Sequence, residues 1–403
     1  MTRSRDIITG IDIGTATIKV AVVERKENNT GLNILSLTQK KSEGMRRGFI
    51  IETTEIAQAL RETILTAERN AGVTIERAYL SVQGIGLSAQ KTKSGVIPIS
   101  KADGELTELD IKRAIEKCEE ALGSSLTNKK IVHQFQTMIR VDGAPVFGRA
   151  IGMRGAKFDA ETIFILCLSQ HLSDFAKVLE DNNITLDDIV AGPIASSLAS
   201  STREEREVGC AILNIGSATT SLVVYEERVP IAVEVFPLGS SRITYDLSIG
   251  LQTTLEEAEQ TKLSYGKETN NASKKKQENI IESRLNDIFE FTENHLKKIN
   301  RSGLLPAGII LTGGGASLLE VTDFAKNALK LPAKVGSMPV GKNYFLSITG
   351  NTSSLREQAI TNSEWSTALG LCIHGLTDNS EGLPITPGKI KHLLRKVLDS
   401  LTP

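Results

Sequence analysis

No apolar run in the 403-residue chain reaches the roughly 18–20 residues that cross a bilayer as a helix. The first residues, "MTRSRDIITGID", break their apolar stretch with Thr9, Gly10 and Asp12, so they do not form a secretory leader. Charge of one sign is also missing. The 47 Lys and Arg against 48 Asp and Glu leave a net charge of −1, which gives no global attraction to nucleic acid. Aromatics make up only 4% of the chain. Cys118, Cys167, Cys210 and Cys372 are scattered without a CxxC pair, and the five His are equally dispersed. That excludes the usual spacing of structural zinc and gives no disulfide framework. The cysteines are expected to be small buried hydrophobes in a reducing cytosol.

What is present is ordinary globular material, 40% hydrophobic and 24% charged, in a chain long enough for two or more domains. Residues 6–24 read as two β-rich runs around a glycine turn, and 33–44 offers a third strand. Residues 52–72 carry apolar side chains at helical spacing and stop at Gly72, and "ERAYLSVQG" returns to strand. Residues 83–165 behave as an insert, with strand-like "SGVIPIS", a helix over 107–122 opened by a Thr-x-x-Asp cap, and two further strands. Helices are expected at 172–183 and 191–207. Then the strand, glycine turn and two strands recur from residue 208 onward. Beyond the repeat come a helix at 253–266, a polar loop at 269–279, a long helix at 280–300, a strand–triple-glycine–helix unit from 307, and a buried helix at 364–376.

The repeat is close at its centre. Residues 11–19 read "IDIGTATIK" and residues 213–221 read "LNIGSATTS". A short turn rich in Gly, Ser and Thr gathers backbone N–H groups around one point, where glycine allows an anion to approach and hydroxyls add donors. One such turn also fits an ordinary hairpin; two in matching β contexts point to a phosphate held between them. Gly313, Gly314 and Gly315 of "IILTGGGASLL" stand between a strand and a helix, a setting suited to nucleotide contact. The pattern is not GxxxxGK[ST], so it is not a P-loop. Asp12 can supply one carboxylate to a magnesium ion that keeps most of its waters. Lys19 can face the phosphates or stand as a solvated strand lysine.

At these residues the chain resembles the actin, sugar-kinase and heat-shock-chaperone ATPase superfamily. Within it the chain is most similar to the FtsA family of bacterial division proteins, through "SEGMRRGFIIE" (42–52), "VDGAPVFGRAIGMRGAKFDA" (141–160), "EREVGCAILNIGSATTS" (205–221) and "TLEEAEQTKLSYG" (254–266). The resemblance implies an α/β, actin-like (ribonuclease H-like) two-lobe ATPase fold with an inserted subdomain. Residues 1–82, 166–207 and 360–376 would form the first lobe, 83–165 the insert, 208–252 and 304–359 the second lobe, and 253–303 its smaller subdomain. It places ATP between the lobes, on Gly14, Thr15, Ala16, Thr17 and Lys19 and on Gly216, Ser217, Ala218 and Thr219. Glu259 and Lys262 of "AEQTK" become the ribose and base clamp, with Gly239 and Ser240 closing the pocket where the family more often has two glycines.

Two departures bear on chemistry. Asn214 stands where the family's second turn usually has Asp; an amide can bond a magnesium-bound water but supplies no charge. Ser217 and Ala218 replace further glycines. The crossing helix opens "AGPIASS", with no acid or amide beside Gly192 and Pro193 to orient an attacking water. ATP binding with very slow hydrolysis is expected.

The tail "KIKHLLRKVLDSL" (389–401) places Ile390, Leu393, Leu394, Val397, Leu398 and Leu401 on one helical face, with Lys389, Lys391, Arg395 and Lys396 supplying the polar side. At about 20 Å it is too short to span a bilayer and reads as an interfacial helix on an anionic membrane, tethered by the linker 377–388. A single copy should bind weakly and a polymer of copies far better. By resemblance the chain forms actin-like filaments on the cytoplasmic face of the cell membrane at the division site. There it would bind the C-terminal peptide of the tubulin-like protein FtsZ near Asn300 and Arg301, and other division proteins through the insert. The alternatives are a PilM-like platform protein of a pilus system and a small-molecule kinase of the same superfamily.

Overall fold

The computed structural model describes residues 6–25, 32–101, 103–265, 271–338 and 361–377, with Ser354 and Glu357 between the last two spans. The tail residues 389–403, with Ile390, Leu393, Leu394, Arg395, Lys396, Val397, Leu398 and Leu401, and the linker 378–388 lie outside them.

Two five-stranded sheets share one plan. In the first, strands run in the order Thr185–Ala191, Arg77–Val82, Ile7–Ile13, Thr17–Arg25, Leu32–Lys41. In the second the order is Ala333–Val335, Ile309–Thr312, Cys210–Ile215, Thr220–Glu226, Val229–Phe236. Each sheet is an antiparallel meander of three strands extended by two parallel ones. The central strands are buried along almost their whole length, because helices cover both faces. That accounts for their continuous rather than alternating apolar runs.

The helices tie the lobes together. Gly192–Ser200, which follows the last strand of the first lobe, packs on the strands Cys210–Ile215 and Thr220–Glu226 of the second. Ser366–Thr377 packs back on the first lobe, with Ala368, Leu369 and Cys372 against Ile8, Ala21 and Val23. The two helices also pack on each other. The outer face of the second sheet carries Ser241–Leu251, Asn271–Lys298 and Val321–Leu329, through Ile243, Ile288, Phe289 and Ala325. The insert is a separate antiparallel sheet of Leu87–Lys93, Lys129–Val141 and Lys157–Leu168 with the helix Glu108–Glu120 across it. Its Val132, Phe135 and Ile163 share a core with Val233 and Val235 on the edge strand of the second lobe.

Most expected elements are present. The first long helix runs Thr53–Ala71 and ends on Gly72 in the left-handed region, φ 65°. Thr107 caps the insert's helix in a reciprocal box with Asp110. All four cysteines are free and buried, and burial pushes the Cys167, Cys210 and Cys372 thiols up to about 12.

Four local expectations change. The helix expected at 191–207 is two helices, because Ser201 is extended and Thr202 opens a new start with its own capping box to Glu205. The polar stretch expected as a loop at 269–279 is helical from Asn271, the start of Asn271–Lys298. Its Lys, Gln and Glu are strong helix formers, so polarity there does not mark a break; Lys275 and Lys276 are exposed and Gln277 is buried. "SGVIPIS" contributes only the two-residue strand Ile97–Pro98. The helix expected from 172 starts at Ser169.

Candidate nucleotide-binding site

The first hairpin closes when Gly14 N–H donates to the Thr17 carbonyl at 3.0 Å. The second closes identically, Gly216 N–H to Thr219 O at 2.9 Å. A Cβ on either glycine would sit against that same carbonyl, at 3.0 Å from Thr17 O and 2.8 Å from Thr219 O. The turns are one structure used twice, and they face one cleft of about 560 Å³. That volume falls within the range of small-molecule sites.

In the first turn, Asp12 lies opposite Lys19 across the hairpin. Lys19 Nζ donates to Thr17 Oγ1 at 2.8 Å, and Thr15 Oγ1 accepts from Gly48 N–H at 3.0 Å. Asp12 Oδ1 accepts from Ser81 Oγ at 2.6 Å and from Gln83 Nε2. Burial holds the Asp12 carboxyl above the usual carboxylate range, with Lys19 and the two donors opposing. In the second turn, Asn214 lies opposite Ser221 in the same register. Both charges of the first turn are therefore replaced together, the acid by an amide and the base by a hydroxyl. Asn214 Nδ2 donates to Thr367 Oγ1 at 3.3 Å. Ser240 N–H and Ser241 N–H donate to Gly216 O and Ser217 O at 2.9 and 2.8 Å. Gly239 is required by this contact, since a Cβ there would stand 2.4 Å from Ser217 O.

The triple-glycine turn forms the floor on the second lobe. Gly313 has φ +83°, and a Cβ there would meet Asn214 Oδ1 at 2.3 Å. Gly315 fits against the Ile215 side chain, whereas Gly314 opens on free space. Opposite stands a buried lysine clamp: Lys262 Nζ donates to Glu259 Oε2 at 2.7 Å and to Thr244 Oγ1 at 2.9 Å. Leu263, Tyr265, Leu318 and Leu319 line this end of the cleft. The cleft thus combines apolar side chains, a paired Glu and Lys, and two turns rich in backbone N–H groups, a lining of the kind a nucleotide needs.

Of the residues singled out in the sequence, Asp12, Gly14, Thr15, Ala16, Thr17, Lys19, Asn214, Gly216, Ser217, Ala218, Thr219, Ser240, Glu259, Lys262, Gly313, Gly314 and Gly315 all line this one cleft, and Gly239 lies directly behind its wall. Asn300 and Arg301 do not belong to it. Asn300 ends the long helix in the left-handed region, φ 57°, and Arg301 forms a bidentate ion pair with Glu226. Gln83, Gly48, Asn362, Glu364 and Thr367 line the cleft without having been anticipated. Strand register was the signal for Gln83. Ser81 and Thr312 occupy equivalent places beside Asp12 and Asn214, so "SVQG" is the first lobe's counterpart of "TGGG".

At the two hairpin turns the strand residues that could face a metal are one carboxylate, Asp12, and one amide, Asn214. Among the described residues no group of three His, Cys, Asp or Glu could cage a metal. Such a set suits magnesium, which keeps its waters and takes its remaining charge from phosphates.

The family model described as cell division protein FtsA matches residues 211–370. The cell division protein FtsA of Bacillus subtilis (strain 168) is 28% identical over 354 residues, covering 83% of this chain and 79% of its own length. Among solved structures, the PilM–PilN type IV pilus biogenesis complex matches with a TM-score of 0.66 at 18% identity, covering 92% of this chain and 98% of that one. MreB5 of Spiroplasma citri bound to ADP matches with a TM-score of 0.51 at 12% identity, covering 93% and 99%. The structural likenesses establish the actin-like fold.

Proposed function

We propose that this chain, a relative of the FtsA division proteins with an actin-like fold, is an ATP-dependent adaptor of bacterial cell division. It holds ATP and Mg²⁺ between its lobes and assembles with copies of itself into filaments. In that state it links FtsZ filaments to the cytoplasmic face of the cell membrane at the division site. The carrying observation is the pair of identical turns opposed across one cleft, in a chain whose likeness to FtsA extends over most of its length.

ATP held by both turns would bridge two lobes that also meet through two helices and, by way of the insert, along the strand Val229–Phe236, and so would favour one interlobe arrangement and with it one polymer-competent shape. When bound, the magnesium ion neutralises phosphate charge. Asp12 and Asn214 orient its waters, and the two turns supply backbone donors to the phosphate oxygens. The tail 389–401 anchors weakly as one copy and firmly as many, so polymerisation sets membrane residence. The FtsZ peptide docks near Asn300 and Arg301, and the insert serves filament contacts and other division proteins.

The test is flotation on anionic vesicles. The full chain with ATP carries FtsZ to the vesicles, and truncation after residue 386 abolishes this. Persistent binding of the truncated chain refutes the anchor, and failure to carry FtsZ refutes the adaptor role. The fold likeness to PilM keeps a pilus platform protein as the alternative, which would carry no FtsZ and need no tail of its own.

A further inference from the structure

Given a nucleotide in the cleft, as proposed above, we propose that Gln83 is a positioning residue that holds the Asp12 carboxylate in place for a hydrated divalent cation. The two lobes differ most at this point. Two residues beyond Ser81 comes Gln83; two beyond Thr312 comes Gly314. Around Gly314 nothing stands within 4 Å of where a Cβ would be, so the second lobe leaves room for the ligand. The first lobe fills the matching place with an amide that reaches Asp12.

Gln83 is held at both its backbone and its side chain. Its backbone carbonyl lies 2.9 Å from His171 Nε2. Burial lowers the His171 pKa, so the ring is neutral and its Nε2–H is the donor. Gly192, the first residue of the crossing helix, makes room for the side chain: a Cβ there would lie 2.4 Å from Gln83 Cγ and 2.8 Å from its Cδ. The far end of the side chain donates to Asp12 Oδ1, which Ser81 also occupies.

Both donors therefore sit on one oxygen. Among the described residues no hydrogen bond reaches Asp12 Oδ2, and Lys19, its cross-strand partner, donates to Thr17 instead. A carboxylate held by one oxygen presents the other in a fixed direction, which is what outer-sphere binding of a hydrated cation needs. Asn214 has no such support, since its amide is the donor and Gly314 carries no side chain. Gln83 thereby fixes the charged side of the cation site on the first lobe, with Asn214 facing it as the weaker, neutral partner. It also explains Gly192 in a buried helix start, where glycine is otherwise a poor choice.

Gln83→Met keeps the length and volume and removes the donor. Gly192→Ala leaves the amide intact and displaces it. Binding of a fluorescent ATP analogue to the full chain is titrated against Mg²⁺ and repeated with the metal chelated. Both variants are expected to raise the Mg²⁺ midpoint about tenfold, the usual scale of a lost hydrogen bond to a charged group. Their metal-free affinity is expected to fall by clearly less than the Mg²⁺ midpoint rises, and Gln83→Met, which takes a donor from a buried carboxylate, is expected to melt somewhat lower without nucleotide. An unmoved Mg²⁺ midpoint in a variant that still binds nucleotide overturns the proposal. An equal loss with and without Mg²⁺ also overturns it, by making Gln83 a nucleotide contact. A wild-type chain that takes up no nucleotide at any Mg²⁺ concentration overturns the nucleotide reading itself.

Discussion

Gly370 lies against the backbone of Ala195 so closely that a Cβ added to it would stand 1.8 Å from the Ala195 carbonyl oxygen. These residues belong to the two helices that cross between the lobes, so the lobes meet through a contact only glycine allows. Gly370→Ala is expected to push the helices apart and cost about 1–3 kcal/mol, the range of overpacking in a close-packed core. Urea denaturation should show a lower midpoint at unchanged slope. A midpoint within error of wild type would mean the helices separate freely at this point.

Asn214→Asp restores an acid to the second turn, but into a setting that has lost its cation as well. Asn214 is buried and donates to Thr367, and its cross-strand partner is Ser221 where the first turn has Lys19. The single variant is expected to bind Mg²⁺–ATP with a lower Mg²⁺ midpoint. Its nucleotide-free form should lose about 1–3 kcal/mol, because a buried donor is removed and a buried charge added. The pair Asn214→Asp with Ser221→Lys should recover part of that loss. Thermal melts with and without Mg²⁺–ATP check both, and a Mg²⁺ midpoint that does not move would place Asn214 away from the metal.

His133 ties the insert to the first lobe, accepting the Ala191 N–H at its Nε2 at 2.9 Å. Burial pushes its pKa down from 6.5 to about 4, with Asp188 opposing and His374 adding to the shift. Between those values the unfolded chain binds a proton that the folded chain refuses, so stability is fully present above pH 6.5 and falls as the pH drops toward 4. The group accounts for about 3 kcal/mol over that window. Burial lowers His171 and His295 in the same direction and gives them the same sign. His133→Gln retains an acceptor and loses the titration, so its stability should depend less steeply on pH across this range. Denaturation midpoints at several pH values test this, and parallel profiles for variant and wild type would count against it.

Much of the site was legible because its chemistry is local. A turn such as "IGTAT" carries its donors within a few residues, and the copy at "IGSAT" identified itself by likeness alone. The triple-glycine turn was readable for the same reason, whereas Glu259 and Lys262 stand out only through the family resemblance, since an i, i+3 Glu–Lys pair by itself also fits an exposed helix face. Gln83 was not readable, because its link to Asp12 and Gly192 runs through strand pairing and packing between distant segments, and the one signal, the register that matches "SVQG" to "TGGG", appears only once the two sheets are aligned. The helical start at Asn271 was missed for a different cause. A polar run is ambiguous until it is known whether a helix continues through it. Arg301 shows the converse limit, since its sequence context says nothing of the Glu226 carboxylate it engages.

Turnover of ATP is expected to be slow, and the described residues show why. Three carboxylates line the cleft, Asp12, Glu259 and Glu364, and each is already engaged. Asp12 is held by Ser81 and Gln83, Glu259 by Lys262 and Thr244, and Glu364 accepts from Asn362 at 2.6 Å. The crossing helix opens with buried Gly192 and Pro193 and has no acid in its first turn. Beside Gly192 stands the Gln83 amide, which can donate or accept a hydrogen bond but cannot take a proton, and His133, the imidazole at this helix start, is buried with its Nε2 already accepting the Ala191 N–H. Without a base poised at the attacking water, a single-turnover rate below about 1 per second is expected. Quenched-flow hydrolysis of bound ATP measures it. A rate at or above that level would require a proton acceptor supplied by a neighbouring copy in a filament, which rates measured above and below the polymerisation threshold would reveal.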